Sequence, residues 1–292
     1  MEIEIDLEGT AARARLDPES APATCAALER LLPFSTTAHY AKIAGDEFML
    51  HLPVVLEVER ARPVAVLPRG CVAFWPDRQL FCVYYGRIQE EDATVTVLGQ
   101  VVDNLDALAA AGERLRRPHG DGHPIARLRA LTPAHRAGGV GRSGPAARGA
   151  AVARQIDAAY AGIADRVPEE VSALLRARDV MRPAGPLLYA EGDTRTLQEA
   201  LWLLRQEARA TGAVPPFASR LLRHAAGRLR GWYQLDRAAA VLELAAGALP
   251  ELPAPHAGEM VDALIVYVGR LNLWLDVSIP WNEFNQAFAG SK

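Results

Sequence analysis

Lysine is almost missing from this chain: Lys42 and the terminal Lys292 stand beside 30 arginines. Arginine does not give up its proton at ordinary pH, so Lys42 is the one internal aliphatic amine able to take part in proton transfer. Cysteine is scarce as well. Cys25, Cys71 and Cys82 are odd in number, lack Cys-x-x-Cys spacing and sit in apolar stretches, which argues for free buried thiols in a reducing compartment. No apolar run approaches the roughly 20 residues that a membrane helix needs. The opening MEIEIDLEG is acidic and alternating, unlike a signal peptide. A cytoplasmic protein is expected, with no membrane partner. A net charge of −3 argues against a nucleic-acid partner. No strand runs into G-x-G-x-x-G and no phosphate-binding loop occurs, so no nucleotide cofactor is expected. A recognisable Ser, His and Asp arrangement is lacking too.

What is present divides the 292 residues into blocks. That length favours two domains. Residues 1–117 hold 12 basic and 18 acidic side chains, 118–154 hold 6 and 1, and 155–292 hold 14 and 16. In the first block, Glu2 to Leu7 and Ala11 to Leu16 alternate around a Gly9-Thr10 turn, which predicts a hairpin. Cys25, Leu28, Leu31 and Leu32 fall on one helical face ended by Pro33. Ala38 to Leu50 reads as strand, turn, strand around Gly45-Asp46, with His39, Ala41 and Ile43 on one face and Tyr40 and Lys42 on the other. Gln79 to Arg87, QLFCVYYGR, is a strand apolar on both faces that ends in a corner of two phenols, a glycine and an arginine. A short strand followed by a turn is expected at 62–70 and further strands at 71–75 and 93–102, with a closing helix at 104–117. Together these predict a mainly β barrel of roughly 115 residues.

Residues 118–150, rich in Gly, Pro, Arg and Ala, have no period and are expected to form a linker or mobile loop. Within them PHGDGHP places His119, Asp121 and His123 close together, but a glycine-rich segment without further ligands reads as a solvated loop, and no metal is expected. Beyond 150 the apolar spacing is helical in five segments from Gln155 to Ala248 and in a last helix, Gly258 to Asp276. The fold class expected is α+β, a β-barrel at 1–117 followed by an all-α domain at 151–292. The tail around Trp274 and Trp281 reads either as a cap at Ser278 with tryptophan packing or as a lid that sets Trp281 against a substrate.

Four pieces of the first block resemble the cyclophilin-like fold of small bacterial proteins: the alternating first strand; Ala21-Pro22-x-Thr24-Cys25-x-x-Leu28 running to Leu31-Leu32-Pro33; the strand into Tyr85-Gly86-Arg87; and Val97-x-Gly99-x-Val101 ahead of Leu105-Asp106-x-Leu108. The proline-binding surroundings of the prolyl isomerases are not recognisable. A cyclophilin-like domain followed by helices, at this length, is similar to the cucumopine and mikimopine synthases. That resemblance implies a cofactor-independent Pictet–Spengler condensation of histidine with 2-oxoglutarate.

Such chemistry needs fixed cations for carboxylates, an acid for dehydration and a base for rearomatisation. The candidates in the barrel are Lys42, Glu47, His39 and Tyr84 for catalysis, and Arg87, Tyr85 and Asp77, with Trp281 from the tail, for binding a small carboxylated substrate. Plainer roles stand beside these. Glu47 could be a solvated turn acid and His39 a satisfied core histidine; one of the two tyrosines must pack inward, and Arg87 could pair with Glu90 or Glu91. A binding or scaffold protein on the same fold is the other class of function that the sequence leaves open, as is homo-oligomerisation.

Overall fold

The computed structural model describes residues 1–42, 45–88, 93–116, 123–131, 147–176 and 185–279. They fall into two compact units, one drawn from residues 1–139 and the other from 140–280.

The first unit is a barrel. Its strands are β1 (Glu2–Leu7), β2 (Thr10–Leu16), β3 (Phe34–Tyr40), β4 (Gly45–His51), β5 (Ala61–Pro63), β6 (Cys71–Trp75), β7 (Leu80–Ile88), β8 (Thr94–Asp103) and β9 (Ile125–Ala130), with helices α1 (Pro22–Leu31) and α2 (Leu105–Arg114). Hydrogen bonding runs β2-β1-β9-β3-β4-β7-β6-β8 and returns from β8 to β2, all antiparallel, so eight strands close on themselves while β5 adds to the side of β8. Closure leaves those eight strands without a free edge.

The β2–β8 seam depends on Gly99. A Cβ there would lie 2.0 Å from the carbonyl oxygen of Arg15, so any other residue would push the strands apart. Alternate residues fill the interior: Ile3 and Ile5, Phe48 and Leu50, Val72 and Phe74, Phe81, Val83 and Tyr85, closed by Leu28 of α1 and Leu108 of α2. The Glu59 carboxylate holds the start of α1 by accepting from the backbone of Ala23 and Thr24, at 3.0 and 2.9 Å.

Several expectations shift here. Strand β9 lies inside 118–150, the stretch expected to be a linker. Ala126 and Leu128 face the core while Arg127 and Arg129 face outward, and its polar, glycine- and proline-rich flanks mask that alternation in sequence. Strand β3 begins at Phe34 rather than Ala38, since Thr36 and Thr37 are buried although polar. Residues 64–66 form a 3-10 turn rather than part of a strand. His119 and Asp121 lie outside the described residues, and among the described residues no three His, Cys, Asp or Glu side chains gather as a metal site.

The second unit is helical: α3 (Ala147–Ile163), α4 (Glu169–Arg176), α5 (Gly185–Thr211), α6 (Ala218–Tyr233), α7 (Asp236–Ala248) and α8 (Ala254–Ser278). Helix α8 is buried on nearly every side from Met260 to Asp276, packed against α3 and α5. Its polar residues cap neighbours. Trp274 donates to the Ile163 carbonyl at 2.6 Å, and Arg270, over the Trp274 ring at 4.3 Å, donates to the Ala164 carbonyl. Both fill carbonyls left open at the end of α3. Burial pulls the Arg270 pKa down to about 10. Asn272 donates to the Glu191 carbonyl at 2.8 Å and to Thr194 Oγ1 at 3.0 Å. Among the described residues no helix is long and apolar enough to cross a membrane.

Candidate active site

Three of the candidates, His39, Glu47 and Tyr84, gather on the outward face of β3, β4 and β7. Since the interior takes Ala38, Phe48, Leu50, Val83 and Tyr85, the two-residue period sends their neighbours His39, Glu47, Met49, His51, Cys82 and Tyr84 the other way. Pairing fixes their order. Glu47 stands opposite Tyr84, Met49 opposite Cys82 and His39 opposite Met49. Side chains directly opposed on a sheet start about 5 Å apart, and diagonal ones about 7–8 Å apart. His39 is therefore diagonal to both Glu47 and His51. A carboxylate, a phenol and two imidazoles share one patch, each of them 0–2% exposed.

Burial and neighbours set the state of the phenol. Desolvation first, then the Cys82 thiol and the Glu47 carboxylate, push the Tyr84 pKa far above the ordinary tyrosine range. Tyr84 thus stays a neutral hydrogen-bond donor. Thr37, next along the same face of β3, holds the His39 ring through a 3.2 Å hydrogen bond between its hydroxyl and Nε2. Cys71 of β6 is near enough to push Tyr84 further in the same direction, and burial raises its own thiol to about 12.

The remaining candidates are not drawn into this patch. Tyr85 lies in the barrel interior, stacked on Phe48 at 6.2 Å and packed against Gly112 of α2, on the face opposite to this patch. Lys42 follows Ala41, the residue hydrogen-bonded to Glu47, but its Nζ lies over the Tyr40 ring, 3.7 Å from the centroid. Arg87 is exposed three residues beyond Tyr84, past an irregularity in the β4–β7 pairing. Asp77 sits in the turn at the other end of β7. Seven residues separate Leu80 from Arg87, or about 23 Å of strand, so Asp77 and Arg87 do not meet at one site. Trp281 lies outside the described residues.

Three residues that the sequence did not single out matter here. His51 and Thr37 share the face of Glu47 and His39, and plain alternation through Glu47, Met49 and His51 carried the signal for the former. Asp46 is the third. Its Oδ2 accepts the Arg87 backbone N–H at 2.7 Å and its Oδ1 accepts Arg116 Nη2 at 2.7 Å. This tie requires Gly86, where a Cβ would lie 2.3 Å from the Asp46 carboxylate.

Comparison with known proteins agrees with this architecture. Residues 1–115 match the family model described as cyclophilin-like, so the first unit is a cyclophilin-like barrel. The structure of McbB in complex with tryptophan matches with a TM-score of 0.83 and 23% sequence identity, covering 98% of this chain and 99% of that one; the likeness is one of fold, and it includes the helical half. The solution structure of a hypothetical protein from Archaeoglobus fulgidus matches at a TM-score of 0.32 and 24% identity, over 44% of this chain and 93% of the other. No curated protein sequence matches significantly.

Proposed function

We propose that the protein condenses an amino acid, histidine or a close analogue, with a 2-oxo acid by cofactor-independent Pictet–Spengler ring closure, as in cucumopine and mikimopine synthesis. The observation that carries this is the buried juxtaposition of Glu47, His39 and Tyr84 on one sheet face. Burying a carboxylate and imidazoles is costly, and an acid, a base and a neutral donor side by side are what two successive proton transfers require. The fold shared with a protein solved with tryptophan supports an amino acid carrying a nucleophilic ring as one substrate.

The steps balance with the loss of one water. The amine adds to the ketone, and the carbinolamine loses its hydroxyl as water once an acid supplies a proton; in this proposal His39 supplies it. Tyr84 donates a hydrogen bond to the departing or carboxylate oxygen. The ring carbon then attacks the imine carbon, whose nitrogen becomes an amine, and Glu47 takes the proton from that ring carbon to restore aromaticity. Lys42 and Arg87 stay in this proposal as residues at its margin, Lys42 beside the residue paired with Glu47 and Arg87 on the Asp46 tie.

Incubation of the purified protein with histidine and 2-oxoglutarate, without cofactor, tests the proposal. Mass spectrometry should show an enzyme-dependent adduct lighter than the sum by one water. No adduct across a panel of ring-bearing amino acids and oxo acids would favour a binding protein instead.

A further inference from the structure

Met49 stands at the centre of the acid–base patch. It is directly opposite His39 on one side and Cys82 on the other, and Glu47 and His51 lie two residues before and after it on β4. Those two are each about 7 Å from it along the strand, and His39 and Cys82 about 5 Å across. Titratable groups therefore surround a thioether. At 9% exposed, Met49 is also the least covered residue of this face, where His39, Glu47, His51, Cys82 and Tyr84 stand at 0–2%.

A buried methionine commonly fills a gap in a core. Met49 does not serve the barrel interior, whose apolar cluster takes its chain neighbours Phe48 and Leu50 and contains neither Met49 nor Cys82. Nor can it satisfy the polar groups around it, because a thioether donates nothing and accepts weakly. What it supplies together with Cys82 is a polarisable sulfur surface, and Ala73, opposite Cys82 on β6, keeps the far side of that surface low. Sulfur about 5 Å from an aromatic ring makes a favourable contact. Beside this surface, the buried Tyr84 hydroxyl makes no hydrogen bond to nitrogen or oxygen among the described residues, which leaves a donor for a ligand.

We infer that Met49, with Cys82, is the floor on which the aromatic ring of the substrate amino acid lies, and that the Met49 side chain sets which ring is accepted. The inference rests on the condensation reading for an amino acid being the ligand; the floor itself follows from the strand register. A ring on this floor turns an edge toward Glu47, the group that takes its proton in that reaction.

Calorimetric titration of the full chain with histidine, tryptophan and leucine, with no oxo acid present, tests the floor in wild type, Met49→Leu and Met49→Ala. A thermal melt verifies folding, and Met49→Leu conserves volume, so one variant folds even if the cavity in Met49→Ala is too costly. The wild type should bind a ring-bearing acid at least about tenfold more tightly than leucine. Met49→Leu should weaken both ring-bearing acids by about two- to tenfold and leave leucine unchanged. Met49→Ala should shift the ratio of tryptophan to histidine affinity at least about tenfold toward tryptophan, the larger ring. That ratio does not respond to a loss of folded protein, which a purely structural role for Met49 would produce. Unchanged affinities and ratios in both variants, leucine bound by the wild type as tightly as the ring-bearing acids, or no saturable binding of either of those acids overturns the floor. Met49-dependent ring binding without any adduct once 2-oxoglutarate is added upholds the floor while the condensation falls. Adduct formation in both variants at the wild-type KM for histidine and with the wild-type ring preference removes the floor and leaves the condensation standing.

Discussion

At the scale of single residues, the molecule is organised by what it buries. Glu47 is 1% exposed on a strand that could have placed an apolar residue there at less cost. If the carboxylate is kept for proton transfer, Glu47→Gln should lower adduct formation by roughly 10²–10⁴-fold. It should leave the Tm within about 4 °C, a change of about 1 kcal/mol for a chain of this size. Steady-state kinetics beside a thermal melt separates this from a purely structural role, in which the melting temperature would fall and turnover of the folded protein would not. The cysteines give a second prediction. Burial raises Cys71 to about 12 and Cys25 to about 11 in the folded chain, against 9.0 for a free thiol. A raised folded pKa favours the folded state fully below the free value and loses that advantage as pH climbs through the folded one. The difference in urea midpoint between wild type and Cys71→Ala should therefore be constant below about pH 9 and shrink between pH 9 and 12. A difference that stays constant to pH 11 would contradict the assigned burial.

Elements explain which parts of this could be read ahead of the structure. The run Leu80 to Tyr85 announced a strand buried on both faces, and it is one. The same alternation separates Tyr84 from Tyr85, so one corner could not hold both as site residues; treating the four residues of that corner as a unit obscured it. His51 escaped notice because it ends its strand, two residues past Met49, and only pairing with β3 brings it near His39. Strand β9 was hidden by its flanks, since Ile125 to Ala130 alternates within a stretch whose composition says loop. Helix α8 reads in sequence as one apolar stripe, yet it is buried nearly all round because α3 and α5 cover its polar residues as well. Closure of the barrel is a pairing fact that no local pattern carries, and it hinges on Gly99. Gly99→Ala should destabilise the protein by about 3 kcal/mol or more, since a methyl group would meet strand backbone that cannot give way. Urea unfolding measures this, and a loss under about 1 kcal/mol would mean that the β2–β8 seam is not as tight as described.

Over the whole molecule, a cyclophilin-like barrel supplies the rigid face and a helical unit follows it, an architecture shared along nearly its full length with a protein solved with tryptophan. Cross-strand pairing fixes Glu47, His39 and Tyr84 relative to one another without mobile loops, as the proposed condensation would require. The most direct measurement of the central claim sets wild type and Glu47→Gln side by side with histidine and 2-oxoglutarate, no cofactor added, followed by borohydride and mass spectrometry. The account predicts that the wild type yields a product one water lighter than the sum and inert to borohydride, as a closed ring is, while the variant yields little of it and gains a species that borohydride reduces, the unclosed imine. Equal yields of the closed product from both proteins would remove Glu47 from the chemistry, and no product from either would contradict the condensation itself.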